Sequence, residues 1–270
     1  MGIRTPGDIS ATHAFQACAF NHSAISPRSF CAGEFIAKSA TCSYVNFMAL
    51  FFCYLIKGLM EDLVQFVYFL FALLVTMSVH ESAHGLVAYY LGDPTAKLAG
   101  RLTLNPVKHL DPVGSIVFLI TQTVGWGKPV PVNPNNFKHP VRDNALTALA
   151  GPISNFILAF IVALPWKYLG AYMPAWITLF FTMTFHVSIF LGIFNLFPFP
   201  PLDGSKILGF IIPKAWHRGY ANYLYNGAKY FVAIILIDAF ILSRVIGFSI
   251  FGSMMRYLHD IVAAVLLLGT

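Results

Sequence analysis

LVQFVYFLFALLVTMSVHESAHGLVAYYL, residues 63–91, decides how the rest of this chain is read. From Leu63 to Val79 it carries no charged residue, and as a helix it is long enough to cross a hydrocarbon layer. Its second half then holds His80, Glu81 and His84, an H-E-x-x-H arrangement. On a helix His80 and His84 stand one turn apart on the same face, so both imidazoles can reach one metal ion. Glu81, next to His80, is placed to act as base toward a water at that ion. Ionisable groups in a membrane helix cost about 2.5–3.5 kcal/mol each on insertion scales, so a cluster of them there points to function. The chemistry read from this stretch is that of a zinc hydrolase.

Composition sets the class. Over 270 residues, 57% are hydrophobic, 16% aromatic and only 10% charged, with a mean hydropathy of +0.70. This is too apolar for a soluble domain and fits a multi-pass membrane protein. The net charge of +6 is spread over single lysines and arginines, which excludes a nucleic-acid surface and fits loops beside membrane spans. All four cysteines, Cys18, Cys31, Cys42 and Cys53, precede Met60, so the main body has neither a disulfide framework nor a thiolate metal site.

The reading predicts an all-α fold of about five or six membrane segments. Leu63–Leu91 is the first and ends at Gly92-Asp93-Pro94. Val113–Val124 is apolar but short. Ala145–Trp166, Trp176–Phe197 and Ala228–Ile246 are each long enough to cross, and Ile261–Gly269 is a short apolar tail. Short extended or β-like elements are expected near residues 98–107 and 127–134. In the second of these, Pro129, Pro131 and Pro134 forbid a helix. Such an edge could hold an unwound substrate strand by β-augmentation, or be a plain connecting loop. Residues 1–59 have no readable periodicity, and the apolar patch Val45–Ile56 is too short to span alone. They are expected to be a poorly ordered extension or an artefact of start-codon choice, with residues 60–270 forming the functional domain. A native amino terminus at Met1 or Gly2, read by mass spectrometry, would refute the artefact.

Catalytic zinc usually takes three protein ligands. Candidates for the third are His109, Asp111, His139, His186, Asp203 and Asp238. Asp203 stands out because Pro198, Pro200 and Pro201 break an apolar span just before it, and a new helix can start there. Asp238 lies inside a predicted span.

His80-Glu81-Ser82-Ala83-His84-Gly85, followed by Asn195 to Gly204 with its closing Leu202-Asp203-Gly204, resembles the site-2 protease family of intramembrane zinc metalloproteases. Gly100 to Pro106 and Ala150-Gly151-Pro152-Ile153-Ser154-Asn155 are similar to its short, bacterial-type members, and the likeness covers nearly all of residues 60–270, with no stretch for a PDZ or CBS domain. The resemblance implies that His80, His84 and Asp203 ligate zinc and that Glu81 is the catalytic carboxylate. It implies single-span membrane proteins as substrates and a bacterial inner membrane as the location. Asn195, matched to the family's motif asparagine, is either an oxyanion donor or a partner for backbone freed by the prolines. Gly151 and Asn155 are expected to serve close helix packing. A membrane metal transporter or sensor, and an inactive member of the same fold, are the alternative functions.

Overall fold

The computed structural model describes residues 43–121, 125–245 and 247–267. The chain divides into two units, Met1–Glu61 and Asp62–Thr270. Of the expected extension, residues 1–42 lie outside the described part, while the patch 45–56 falls within a helix.

Seven helices of nine residues or more make up the described architecture: α1 (Ser43–Tyr90), α2 (Pro112–Thr121), α3 (Pro140–Leu169), α4 (Ala175–Leu196), α5 (Asp203–Ile211), α6 (His217–Leu236) and α7 (Ile250–Leu266). Three helical stretches, Met60–Tyr90, Pro140–Tyr172 and Ala175–Leu196, are long and apolar enough to cross a membrane. They coincide with the first, third and fourth predicted segments. α1 ends where expected, at Gly92, whose φ of +107° suits a residue without a side chain.

The burial pattern is that of helices in lipid rather than in water. Large apolar side chains such as Phe71, Ile157 and Ile161 point outward. Buried positions include Thr76, Thr184, Ser188 and Asn155, and Thr76 and Ser188 share a hydroxyl–hydroxyl hydrogen bond of 3.0 Å between α1 and α4. Lipid provides no hydrophobic drive for helices to associate, so polar ties and close packing hold them. A buried apolar cluster forms where Ala159, Val162 and Ala163 of α3 meet Phe185, Ile189 and Ile193 of α4 and Met255 of α7.

Two predicted segments take other forms. α2 has ten residues, too few to cross as a helix at about 1.5 Å per residue, and residues 122–124 of that segment lie outside the described part. The predicted span Ala228–Ile246 is α6 as far as Leu236 and then a π-helical stretch, Ile237–Leu242. Asp238 turns there to accept hydrogen bonds from the backbone N–H groups of Ile250 and Phe251 and from the Ser249 hydroxyl. The acid expected inside a span is therefore the anchor for the start of α7, where a carboxylate satisfies free N–H groups.

The extended elements form no sheet among the described residues. Leu98 belongs to a helical turn, Thr95–Leu98, and Pro106–Lys108 is a 3-10 turn. A single antiparallel bridge pairs Leu110 with Gly127. Residues 128–133 form neither helix nor strand, in keeping with their prolines, and Asn133 is extended. They are held by the buried Arg101, whose guanidinium donates to the carbonyls of Lys128 (2.6 Å) and Pro129 (3.4 Å). The Lys128 N–H donates to the His109 carbonyl at 2.8 Å.

Candidate metal centre

The site begins with the geometry of α1. His80 and His84 lie one turn apart and are both buried, with their Nε2 atoms 3.0 Å from each other. Asp203 arrives from 119 residues beyond His84 as the first residue of α5, where the helix N-terminus favours a carboxylate. Gly204 makes this approach feasible: a Cβ there would lie 2.2 Å from the Leu196 carbonyl oxygen and 2.3 Å from that of Phe197. Any side chain would push α5 away from the end of α4, and Asp203 with it. As placed, Asp203 Oδ2 is 3.2 Å from His80 Nε2 and 3.0 Å from His84 Nε2.

These three atoms form a nearly equilateral triangle. A tetrahedral ion with bonds of about 2.0–2.1 Å spans ligand-to-ligand edges of about 3.3–3.4 Å, within a few tenths of an ångström of the triangle. Proton positions point the same way. His84 Nδ1 donates to the Thr147 carbonyl at 2.7 Å, so in the neutral ring Nε2 is a bare lone pair facing another nitrogen and a carboxylate oxygen. Acceptors converge like this around a cation. Among the described residues these three form the one group of at least three His, Cys, Asp or Glu side chains able to hold a metal ion.

The group opens onto a cavity of about 160 Å³ that is also lined by Glu81, Val130, Asn195 and Lys206. The Glu81 Oε2 accepts the backbone N–H of Val130 at 2.8 Å, so the proline-containing segment 128–133 fixes one carboxylate oxygen. Lys206 donates to Asp203 Oδ1 at 3.1 Å, on the side away from the histidines. Asn195 reaches the cavity while one amide N–H goes to the Leu191 carbonyl at 3.0 Å.

The other candidate ligands lie elsewhere. His109 Nε2 donates to the Thr103 carbonyl. Asp111 caps α2 through the Gly114 N–H. His139 is the cap residue just before α3 and is exposed. His186 pairs with His259 at 3.0 Å.

The Bacillus subtilis protein named "Putative zinc metalloprotease YwhC" is 44% identical over 153 residues, covering 54% of this chain and 69% of that protein. The chain belongs to peptidase family M50. The model of that family matches residues 165–237, which include Asn195 and Asp203 but not the H-E-x-x-H stretch. The site-2 protease resemblance is thus borne out. Two mycobacterial proteins, each named "Putative zinc metalloprotease Rip2", are also similar. That of Mycolicibacterium smegmatis is 31% identical over 50% of this chain and 53% of its own length, and that of Mycobacterium tuberculosis 27% over 70% and 71%. No solved structure matches the chain. For a chain of peptidase family M50 whose relatives are named zinc metalloproteases, the two imidazoles and one carboxylate of His80, His84 and Asp203 are a ligand set that suits zinc.

The sequence marked Gly151 and Asn155 only as packing residues and did not single out Thr147. Thr147 and Asn155 approach the two histidines from α3, and Gly151 between them gives the rings room. Their spacing of four residues, one face of one helix, was the available signal.

Proposed function

We propose that this protein is a zinc-dependent intramembrane endopeptidase acting in regulated intramembrane proteolysis. It hydrolyses peptide bonds within or beside the transmembrane segments of single-span membrane proteins. The observation that carries this reading is the convergence of His80, His84 and Asp203 on one point, with Glu81 on the same cavity, at the end of a helix able to cross a membrane. In this reading His80, His84 and Asp203 are the zinc ligands and Glu81 is the general base. Zinc, when bound, supplies Lewis acidity that acidifies a water and polarises the scissile carbonyl.

The chain's own groups do the rest. Glu81 Oε2 is committed to the Val130 N–H, so Oε1 takes the water proton and later delivers it to the leaving amine. Asn195 uses one amide N–H on Leu191; the other donates to the developing oxyanion. The segment 128–133 presents backbone beside the cavity and pairs with an unwound substrate strand, because helical carbonyls are already hydrogen-bonded and screened. The catalytic domain is residues 60–270. Its shorter helices α2, α6 and α7 complete about five or six membrane segments by insertion alongside the three long ones, in the inner membrane of a bacterium.

Glu81→Gln tests the assignment in purified protein with a single-span substrate in liposomes. The expected outcome is zinc content equal to wild type with cleavage reduced about 10²–10⁴-fold, the usual contribution of a general base. Cleavage at the wild-type rate would overturn Glu81 as the base. A wild-type protein that binds zinc yet cleaves no membrane substrate would overturn the proteolytic reading.

A further inference from the structure

We infer that Asn155 is a positioning residue for zinc: its side-chain oxygen holds the ring of His80 in the tautomer whose Nε2 can ligate. This rests on the zinc-ligand reading of His80, His84 and Asp203. Asn155 is fully buried, and its amide lies 3.0 Å from His80 Nδ1. The partner ring is held in the same way by the same helix. His84 Nδ1 has the Thr147 carbonyl at 2.7 Å, which accepts only, so Nδ1 carries the proton and Nε2 is free for metal. Thr147, Gly151 and Asn155 follow one another at four-residue steps along α3. Thr147 and Asn155 reach one ring each, and Gly151, where a Cβ would lie 2.5–2.6 Å from ring atoms of both, leaves the rings space.

His80 requires the same proton arrangement. Were the amide nitrogen of Asn155 to donate to Nδ1, the neutral ring would carry its proton on Nε2, aimed at the other ligands and blocking a metal. The oxygen and nitrogen of a primary amide are nearly isosteric, and the partners decide between them. With the oxygen toward His80, Nδ1–H donates to it and the Nε2 lone pair faces His84 and Asp203. The exchange sacrifices no existing bond, because the amide oxygen, in the position it would vacate, has no hydrogen-bond partner. Histidine ligands commonly donate their second N–H to an outer oxygen, and loss of that partner weakens metal binding about 10–100-fold.

The test is zinc affinity, measured by competition with a chromophoric chelator on the full chain in detergent, with cleavage as a second readout. Asn155→Leu keeps the shape and removes the acceptor, and Asn155→Asp keeps an oxygen acceptor. Zinc binding is expected to weaken about 10–100-fold in Asn155→Leu and to stay at or above wild type in Asn155→Asp. Wild-type affinity in Asn155→Leu would overturn the inference. Should that variant fail to fold, Asn155→Asp decides alone: a loss of zinc affinity there would overturn it, and retained affinity would support it. His80→Ala separates the two levels of the argument. If it binds zinc like wild type, the ligand assignment fails; if it loses zinc while Asn155→Leu does not, only the role of Asn155 fails.

Discussion

Gly151→Ala is the smallest change that should disable this metal centre. The added Cβ would stand 2.5 Å from Cε1 and Nε2 of His84 and 2.6 Å from Cε1 of His80. Carbon atoms in ordinary contact are about 3.5–4.0 Å apart, so the two rings together must yield by about 1 Å. A metal site tolerates deviations of about 0.2 Å in its bonds. The rings have little freedom to yield, since His84 is tied to the Thr147 carbonyl and His80 to Asn155. Overpacking of this kind costs about 1–3 kcal/mol. If that strain exists only while both imidazoles are in ligating position, zinc affinity falls about 5- to 150-fold at 1.4 kcal/mol per decade. Alanine is the better helix former by about 1 kcal/mol, so helix content by circular dichroism should not fall and a folding defect is separable from a site defect. The assay is chelator competition on wild type and variant in the same detergent. Gly151→Ala binding zinc as tightly as wild type would refute the argument that this glycine exists to admit the rings.

Two further predictions probe the loops around the site. Arg101→Ala removes the donor to the Lys128 and Pro129 carbonyls, worth about 1.5–3 kcal/mol for a charged group. It should lower kcat/KM by up to about 100-fold with zinc content unchanged, because the segment that presents the Val130 N–H to Glu81 loosens while no ligand is touched; parallel loss of zinc would contradict this. Asp93, just beyond the end of α1, is buried, which raises its carboxyl pKa, but hydrogen bonds from the Thr95 side chain, the Asn133 backbone, the Asn136 amide and the Thr95 backbone outweigh that and hold it below the ordinary value. A carboxylate with a depressed folded-state pKa contributes stability that is complete above its unfolded value of about 3.9 and is lost as pH falls through the folded one. Asp93→Asn should therefore lower Tm at pH 7, through a loss of about 1–3 kcal/mol, and the gap to wild type should narrow as pH falls below about 4; a gap independent of pH would show that the charge is not what matters.

Much of the site was legible because its chemistry is incompatible with its surroundings. His80, Glu81 and His84 stand out against a charge-free run, and Asp203 against a run of prolines. Length and hydropathy likewise identify three helices able to cross a membrane. What the sequence did not show shares a cause. Asp238 reads as a charge within a span because its partners at Ser249, Ile250 and Phe251 become neighbours only through a π-helical turn. Asn155 reads as a packing residue because an asparagine in an apolar helix looks alike whether it faces a backbone or an imidazole.

What the sequence determined by itself is the local part: which stretches are apolar enough for lipid, where prolines forbid helix, and that two histidines one turn apart share a face. Periodicity and composition suffice for these because each depends on residues within a few turns of one another. Tertiary structure brings Asp203, the candidate the sequence already favoured, to those histidines, and it does so through Gly204, which lets α5 close against the end of α4. It also decided that α3 supplies the outer contacts of both rings and that Val130 holds Glu81. Such pairings join residues 49 to 123 positions apart, and they depend on how closely one backbone can approach another, which no local pattern encodes.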